Sequence, residues 1–248
     1  MDDKMKENFI RLWKKYFNKA ELPITFYYAD ETDGVEVVKP ASGHRCIFAD
    51  LLKVTRGQSI CFSAESIGCF GGKRYLGFGS EVMPNFEYFL SCGIPGRLEG
   101  ERYKKTPELV KEIMKKVPRF DAPGKFIVFK RWDMLEEHDE PDGVIFFARP
   151  DVLSGLFTLA NFDESELNGV IAPFSAGCGS IVRYAYLEKR CDHPKAVLGM
   201  FDVSARPFVS GEVLSFSVPM HKFVTMIGNM EESFLITPSW NKVQKRIG

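Results

Sequence analysis

Apolar side chains first recur at helical spacing over residues 5–17, where Met5, Phe9, Leu12, Trp13 and Tyr16 form one stripe with Ile10 and Phe17 beside it. Lys4, Lys6, Arg11, Lys14, Lys15 and Lys19 fill the other side, so the pattern predicts an amphipathic helix with a solvated basic face. The period then shortens. ITFYYAD after Pro23 reads as a strand, Asp33-Gly34 as a turn before VEVV, 44–55 as a helix ending at Gly57, and SICFS at 59–63 as a strand. A glycine cluster follows at Gly68, Gly71, Gly72, Gly77 and Gly79.

Residues 101–125 hold a charged helix, TPELVKEIMKK, then Pro118 and the turn signal Pro123-Gly124. This stretch predicts a connector between a half at 1–105 and a half at 106–248, within two domains or one compact unit. Beyond it, KFIVFKRWDML (125–135) and GVIFFARPDVL (143–153) match as apolar strands ending in Arg-x-Asp-x-Leu. The pair predicts neighbouring strands at 126–130 and 143–148, the second central because VIFFA is apolar on both faces. Pro150 suits the first turn of a helix over DVLSGLFTLANF. GVIAPF, AVLGMFD and GEVLSFSVP read as further strands, 221–233 as a helix, and the residues after Trp240 as a short basic helix. Strands interleaved with helices predict an α+β fold with mixed sheets.

An internal duplication is expected as well. CFGGKRYLGFG at 69–79 and CDHPKAVLGMF at 191–201 place Cys69 and Cys191, Lys73 and Lys195, Leu76 and Leu198, and Gly77 and Gly199 at matching positions. Two halves built this way would bring equivalent loops together.

Composition narrows the function. The 248 residues are 45% hydrophobic and carry 33 basic against 33 acidic side chains, a globular composition without the basic footprint of a general nucleic-acid binder. The longest uncharged run, Leu167 to Val182, is broken by Pro173 and glycines and falls short of the roughly 20 apolar residues a membrane span needs. The opening stretch lacks the apolar core of a secretory signal, so the expected address is the cytoplasm. Neither nucleic acid nor membrane is an expected partner, a small-molecule ligand is, and oligomeric state is left open.

The six cysteines occur without any CxxC spacing, and in a chain expected to be cytosolic they read as free thiols rather than disulfides. If the halves meet, Cys61, Cys69, Cys178 and Cys191 become a candidate tetrahedral set for zinc or an iron–sulfur cluster, with His193 an alternative ligand. The other outcome is that each thiol packs inertly within its own half. SAGCGS at 175–180 is a candidate anion nest, which makes Gly71, Gly72, Lys73, Gly177, Gly179 and Lys195 the candidate cofactor-binding residues. Cys178 with His193 or His44 as base is the candidate catalytic pair. Three readings therefore stand: a protein binding a small molecule, metal or cofactor near the cysteine and glycine loops, a cysteine-dependent enzyme, or an interaction protein with inert thiols.

Three colinear segments, GHRCIFADLLKVTRGQSICFSAESIGCFGGKRYLGFG, PDGVIFFARPDVLSGLFTLANF and GVIAPFSAGCGSIVRYAYLEKRCDHPKAVLGMFDVSARPF, resemble signatures of the domain-of-unknown-function 169 family. The resemblance spans roughly residues 20–240. It implies an uncharacterised archaeal or bacterial protein and carries no reaction, ligand or catalytic residue with it.

Overall fold

A computed structural model describes residues 1–40 and 43–247. The first apolar stripe forms α1 (Asp3–Phe17), N-capped by Asp2, whose side chain accepts from Lys4 N. The chain continues through β1 (Ile24–Ala29), β2 (Glu36–Val37), α2 (Phe48–Thr55), β3 (Ile60–Ser63), α3 (Phe70–Tyr75), α4 (Phe86–Phe89), α5 (Pro107–Lys116) and β4 (Phe126–Arg131). A 3₁₀ turn at Trp132–Met134 leads to β5 (Gly143–Ala148), α6 (Pro150–Ala160) and β6 (Val170–Ile171). A π-helical turn, Gly179–Arg183, runs straight into α7 (Tyr184–Glu188). Then come β7 (Ala196–Gly199), β8 (Leu214–Pro219), α8 (Met220–Asn229) and α9 (Pro238–Gln244). The fold is α+β, as the interleaved periods predict.

All eight strands join one mixed sheet in the order β2-β3-β4-β1-β5-β8-β7-β6. The order and the strand senses read the same from either end. β2–β3 and β6–β7 are the parallel outer pairs, and every inner pair is antiparallel. The first four strands and the last four meet only at β1 and β5. That junction is short, with Ile24, Thr25 and Phe26 opposite Ile145, Val144 and Gly143. A Cβ on Gly143 would lie 2.7 Å from the Phe26 ring, so the close pairing requires glycine there.

Alternation along the strands divides the interior into two layers. On one face α1, α6, α8 and α9 cover Val144, Phe146, Phe216 and Val218. Trp13 stacks on Phe17 at 4.1 Å, and Phe9 meets Trp132 and Phe223 edge-on. On the other face α2, the π turn and α7 cover Ile24, Phe26, Phe62, Phe129, Ile145 and Val197. β5 is apolar on both faces and lies fifth of eight, central as expected.

Two expectations are corrected. β4 and β5 share the sheet but are not neighbours, because β1 lies between them. Their Arg-x-Asp-x-Leu ends differ too: Arg131 and Asp133 pair with each other at 2.6 Å, whereas Arg149 pairs with Glu212 and Asp151 with Arg246. The 69–79 and 191–201 segments have different structures, since 70–75 is helix α3 while 196–199 is strand β7. Leu76 is fully buried and Leu198 only partly so, and that duplication is a coincidence of glycine-rich sequence. The connector does not divide the sheet. β4 follows it in the chain yet pairs with β1 and β3.

Under the β1–β4 half, polar groups replace the apolar layer. Lys130, 2% exposed, donates to Asp139 Oδ2 at 3.0 Å and Glu136 Oε2 at 2.7 Å, while the Tyr27 hydroxyl donates to Asp139 Oδ1 at 2.5 Å. Burial alone would raise the Asp139 carboxyl. The Glu136 backbone N–H, the Tyr27 hydroxyl and Lys130 outweigh it and hold the group below its ordinary 3.8. A depressed folded value contributes stability above the unfolded value that is lost as pH falls through the folded one. Urea titrations should therefore show the wild-type chain losing stability below about pH 4, with Asp139→Asn destabilised by roughly 3 kcal/mol at pH 7 and its deficit shrinking on acidification. An equal deficit at every pH would contradict this role.

Candidate functional site

The site lies where the loops after β3 and before α7 meet across the β1–β5 seam. After β3 the chain turns on Ser66, whose hydroxyl accepts from Ser63 N at 2.9 Å, and reaches Cys69 at the start of α3. Cys69 Sγ caps that short helix, accepting from Gly72 N at 3.4 Å. From the other half, Gly177 N donates to Asp202 Oδ2 at 3.0 Å and the Ser180 hydroxyl donates to Gly177 O at 2.8 Å, which fixes the entry to the π turn. α3 then packs against the π turn, because position 179 has no side chain: a Cβ there would lie 2.7 Å from the Tyr75 ring and 2.0 Å from Ser175 Oγ.

Of the candidate cofactor-binding residues, Gly71, Gly72 and Lys73 lie on α3, and Gly177 and Gly179 flank the π turn that packs against it. Lys195 sits apart in the turn entering β7, its backbone N–H donating to Glu188 Oε2 at 2.9 Å. The four-thiol set does not assemble. Cys61 points to the opposite face of the sheet from Cys178, packed with Tyr27 and Val128, and Cys191 is exposed after α7. Cys178 lies within electrostatic reach of Cys46, Cys69 and the Asp202 carboxylate. Burial first, then these neighbours, pushes the Cys178 thiol well above its ordinary range, and burial raises Cys46 as well. A thiol held protonated is a poor nucleophile, and no hydrogen bond links Cys178 to His193 or His44, so the candidate catalytic pair is not formed.

One group of metal-type ligands does gather among the described residues: Glu136, His138 and Asp139, with ligand atoms within 4.8 Å of one another. It is empty. The Lys130 ammonium already pairs with both carboxylates, and the N-terminal ammonium donates to the Asp139 carbonyl at 2.6 Å, so positive charge is in place without an ion.

Two cavities straddle the seam. One of about 590 Å³ opens beside Phe146–Ala148, where β5 runs past the start of β1, and is walled by Phe48, Leu51 and Val213. Two of its cations, Arg149 and Arg246, are ion-paired. The other, of about 780 Å³, lies against the glycine loop and the π turn and is lined by Arg74, Gly79, Ser80, the 117–121 loop and Arg183. Phe120 on its wall belongs to an aromatic cluster in which Tyr28 of β1 and Tyr186 of α7 meet edge-on at 5.4 Å.

Arg183 is 2% exposed. It stacks over the Tyr75 ring at 4.6 Å and donates through Nη2 to the Arg74 carbonyl. Its Nε and Nη1 have no partner among the described residues. Burial lowers its pKa from the ordinary arginine value, and Arg74 beside it acts the same way. The sequence held a signal for this residue, since Arg183 is the only charged side chain between Glu166 and Glu188. Cys46 and Asp202 gave none, because only the fold carries their loops to Cys178.

The fold defines an α+β protein built on one eight-stranded mixed sheet. The chain belongs to the domain-of-unknown-function family DUF169, described as Uncharacterised ArCR, whose profile matches residues 14–229. Comparison with curated proteins and with solved structures gives no match. No helix of the described residues is long and apolar enough to cross a membrane.

Thiol labelling of the native chain should modify exposed Cys92 and Cys191 first, Cys46 and Cys69 more slowly, and buried Cys61 and Cys178 only on unfolding. Rapid labelling of Cys178 would contradict the burial that keeps it protonated.

Proposed function

We propose that this protein binds a small molecule in the cavity of about 780 Å³ at the seam, beside its cysteine- and glycine-bearing loops. The observation that carries the reading is the joint construction of the cavity. Residues from α3 to the 117–121 loop supply most of the wall and Arg183 of the π turn the rest, so the ligand would touch segments that follow β3 and precede α7. π-helical turns weaken regular hydrogen bonding and occur most often at functional sites. The protein acts in this reading as a binding module, with the thiols structural.

A thermal-shift screen of the full chain against neutral, cationic and anionic small molecules tests this. A ligand at a hundredfold excess over its Kd should raise the melting temperature by roughly 5–10 °C. Ser80→Trp, at an exposed position on the cavity rim, should weaken that ligand at least tenfold without unfolding the chain. Absence of any stabilising compound, or binding unaffected by Ser80→Trp, would refute it.

A further inference from the structure

We infer that the seam cavity is an oxyanion site in which Arg183 binds a phosphoryl or carboxylate group of the ligand. The inference rests on the cavity reading above and adds the ligand's chemical class.

Four cations line the cavity, Arg74, Lys115, Arg119 and Arg183, against one carboxylate, Asp121. The chain as a whole is balanced at 33 against 33, so the lining departs sharply from the average. Arg183 sets the chemistry. A buried guanidinium normally meets a carboxylate, because an ion withdrawn from water needs a counter-charge and a partner for each N–H. Here no carboxylate of the described residues forms an ion pair with it, and its strongest electrostatic neighbours are Tyr75, Arg74, Tyr184 and Tyr28. Its one hydrogen bond goes to a neutral carbonyl, that of Arg74. Nε and Nη1 together leave three N–H donors without a partner among the described residues, on a side chain that helps to line the cavity.

Surrounding structure holds the group in that condition. The π turn carries Arg183 out of an otherwise uncharged stretch, and Tyr75 stacks on its guanidinium plane from the other half. Arg74, its guanidinium tied to Ser80 O at 2.5 Å, adds a second positive charge that repels Arg183 until an anion arrives between them. Lys115 and Arg119 are exposed on the rim, where they attract an anion from solution. A planar, multidentate oxyanion suits guanidinium donors better than a halide does.

Calorimetric titration of the full chain with inorganic phosphate and with acetate, at ionic strength matched with chloride, is the test. One-site saturable binding of either anion is expected, phosphate alone assigning a phosphoryl ligand and acetate alone a carboxylate. Arg183→Met should weaken it roughly tenfold to hundredfold, while the ligand-free variant melts at or above the wild-type temperature because an unpaired buried charge has gone. If Arg183→Met does not fold, the Lys115→Ala/Arg119→Ala variant decides the matter. At exposed positions it leaves folding intact and should weaken binding several-fold. No saturable binding of either anion, or binding indifferent to these substitutions, overturns the inference. A neutral or cationic ligand from the screen that is sensitive to Ser80→Trp and indifferent to Arg183→Met keeps the cavity reading and sinks this one alone.

Discussion

Three residue pairs between β1 and β5 hold the sheet together, and the rest of the molecule is arranged around that short junction. Ile24, Thr25 and Phe26 face Ile145, Val144 and Gly143, and past these residues the two strands part. At one end Phe146–Ala148 continues without β1, and a cavity opens there. At the other end Tyr27–Ala29 continues without β5, and the Tyr28 N–H is satisfied instead by Asp142 Oδ2 at 3.1 Å. A short central pairing thus joins two four-stranded halves while leaving room between them at both ends. Because side chains from both halves close over these gaps, the places where a ligand can lodge are set by the sheet itself.

Charge is distributed unequally around the seam. Beneath β4, the buried Lys130 ammonium is answered by Asp139 and Glu136, and the Tyr27 hydroxyl donates in turn to Asp139. At the π turn, Arg183 is equally buried and uncompensated. Burying an unpaired charge costs several kcal/mol, which the surrounding packing must offset. Aromatic contacts supply much of that packing, with Tyr28, Phe120 and Tyr186 in mutual contact across the seam and Tyr75 on the guanidinium. An anion bound as proposed would bring the missing counter-charge.

Much of the scaffold was legible in sequence. The stripe from Met5 to Tyr16 became α1, Pro150 began α6, and VIFFA became a central strand because its residues are apolar on both faces. What failed was inference between distant segments. The likeness of KFIVFKR to GVIFFAR concealed that β1, far away in sequence, inserts between the two strands. The Cys-Lys-Leu-Gly match paired a helix with a strand, because glycine and cysteine favour neither. Cys61 was misassigned through the period-two alternation of β3, which turns it from the face that Ile60 and Phe62 cover. Arg183 was visible as a lone charge in an apolar run, but its lack of a partner is a property of the assembled seam.

Nuclear magnetic resonance of the arginine side chains bears most directly on the unpaired guanidinium at the seam. In ¹⁵N-labelled protein the Arg183 Nε–H signal, assigned by its loss in Arg183→Lys, should be resolved from the surface arginines by its buried position. It should move progressively and saturate as phosphate or acetate is added, while the signals of distant Arg11 and Arg246 stay in place. An Arg183 signal that coincides with those of solvated arginines, or that stays fixed through both titrations, would contradict the account.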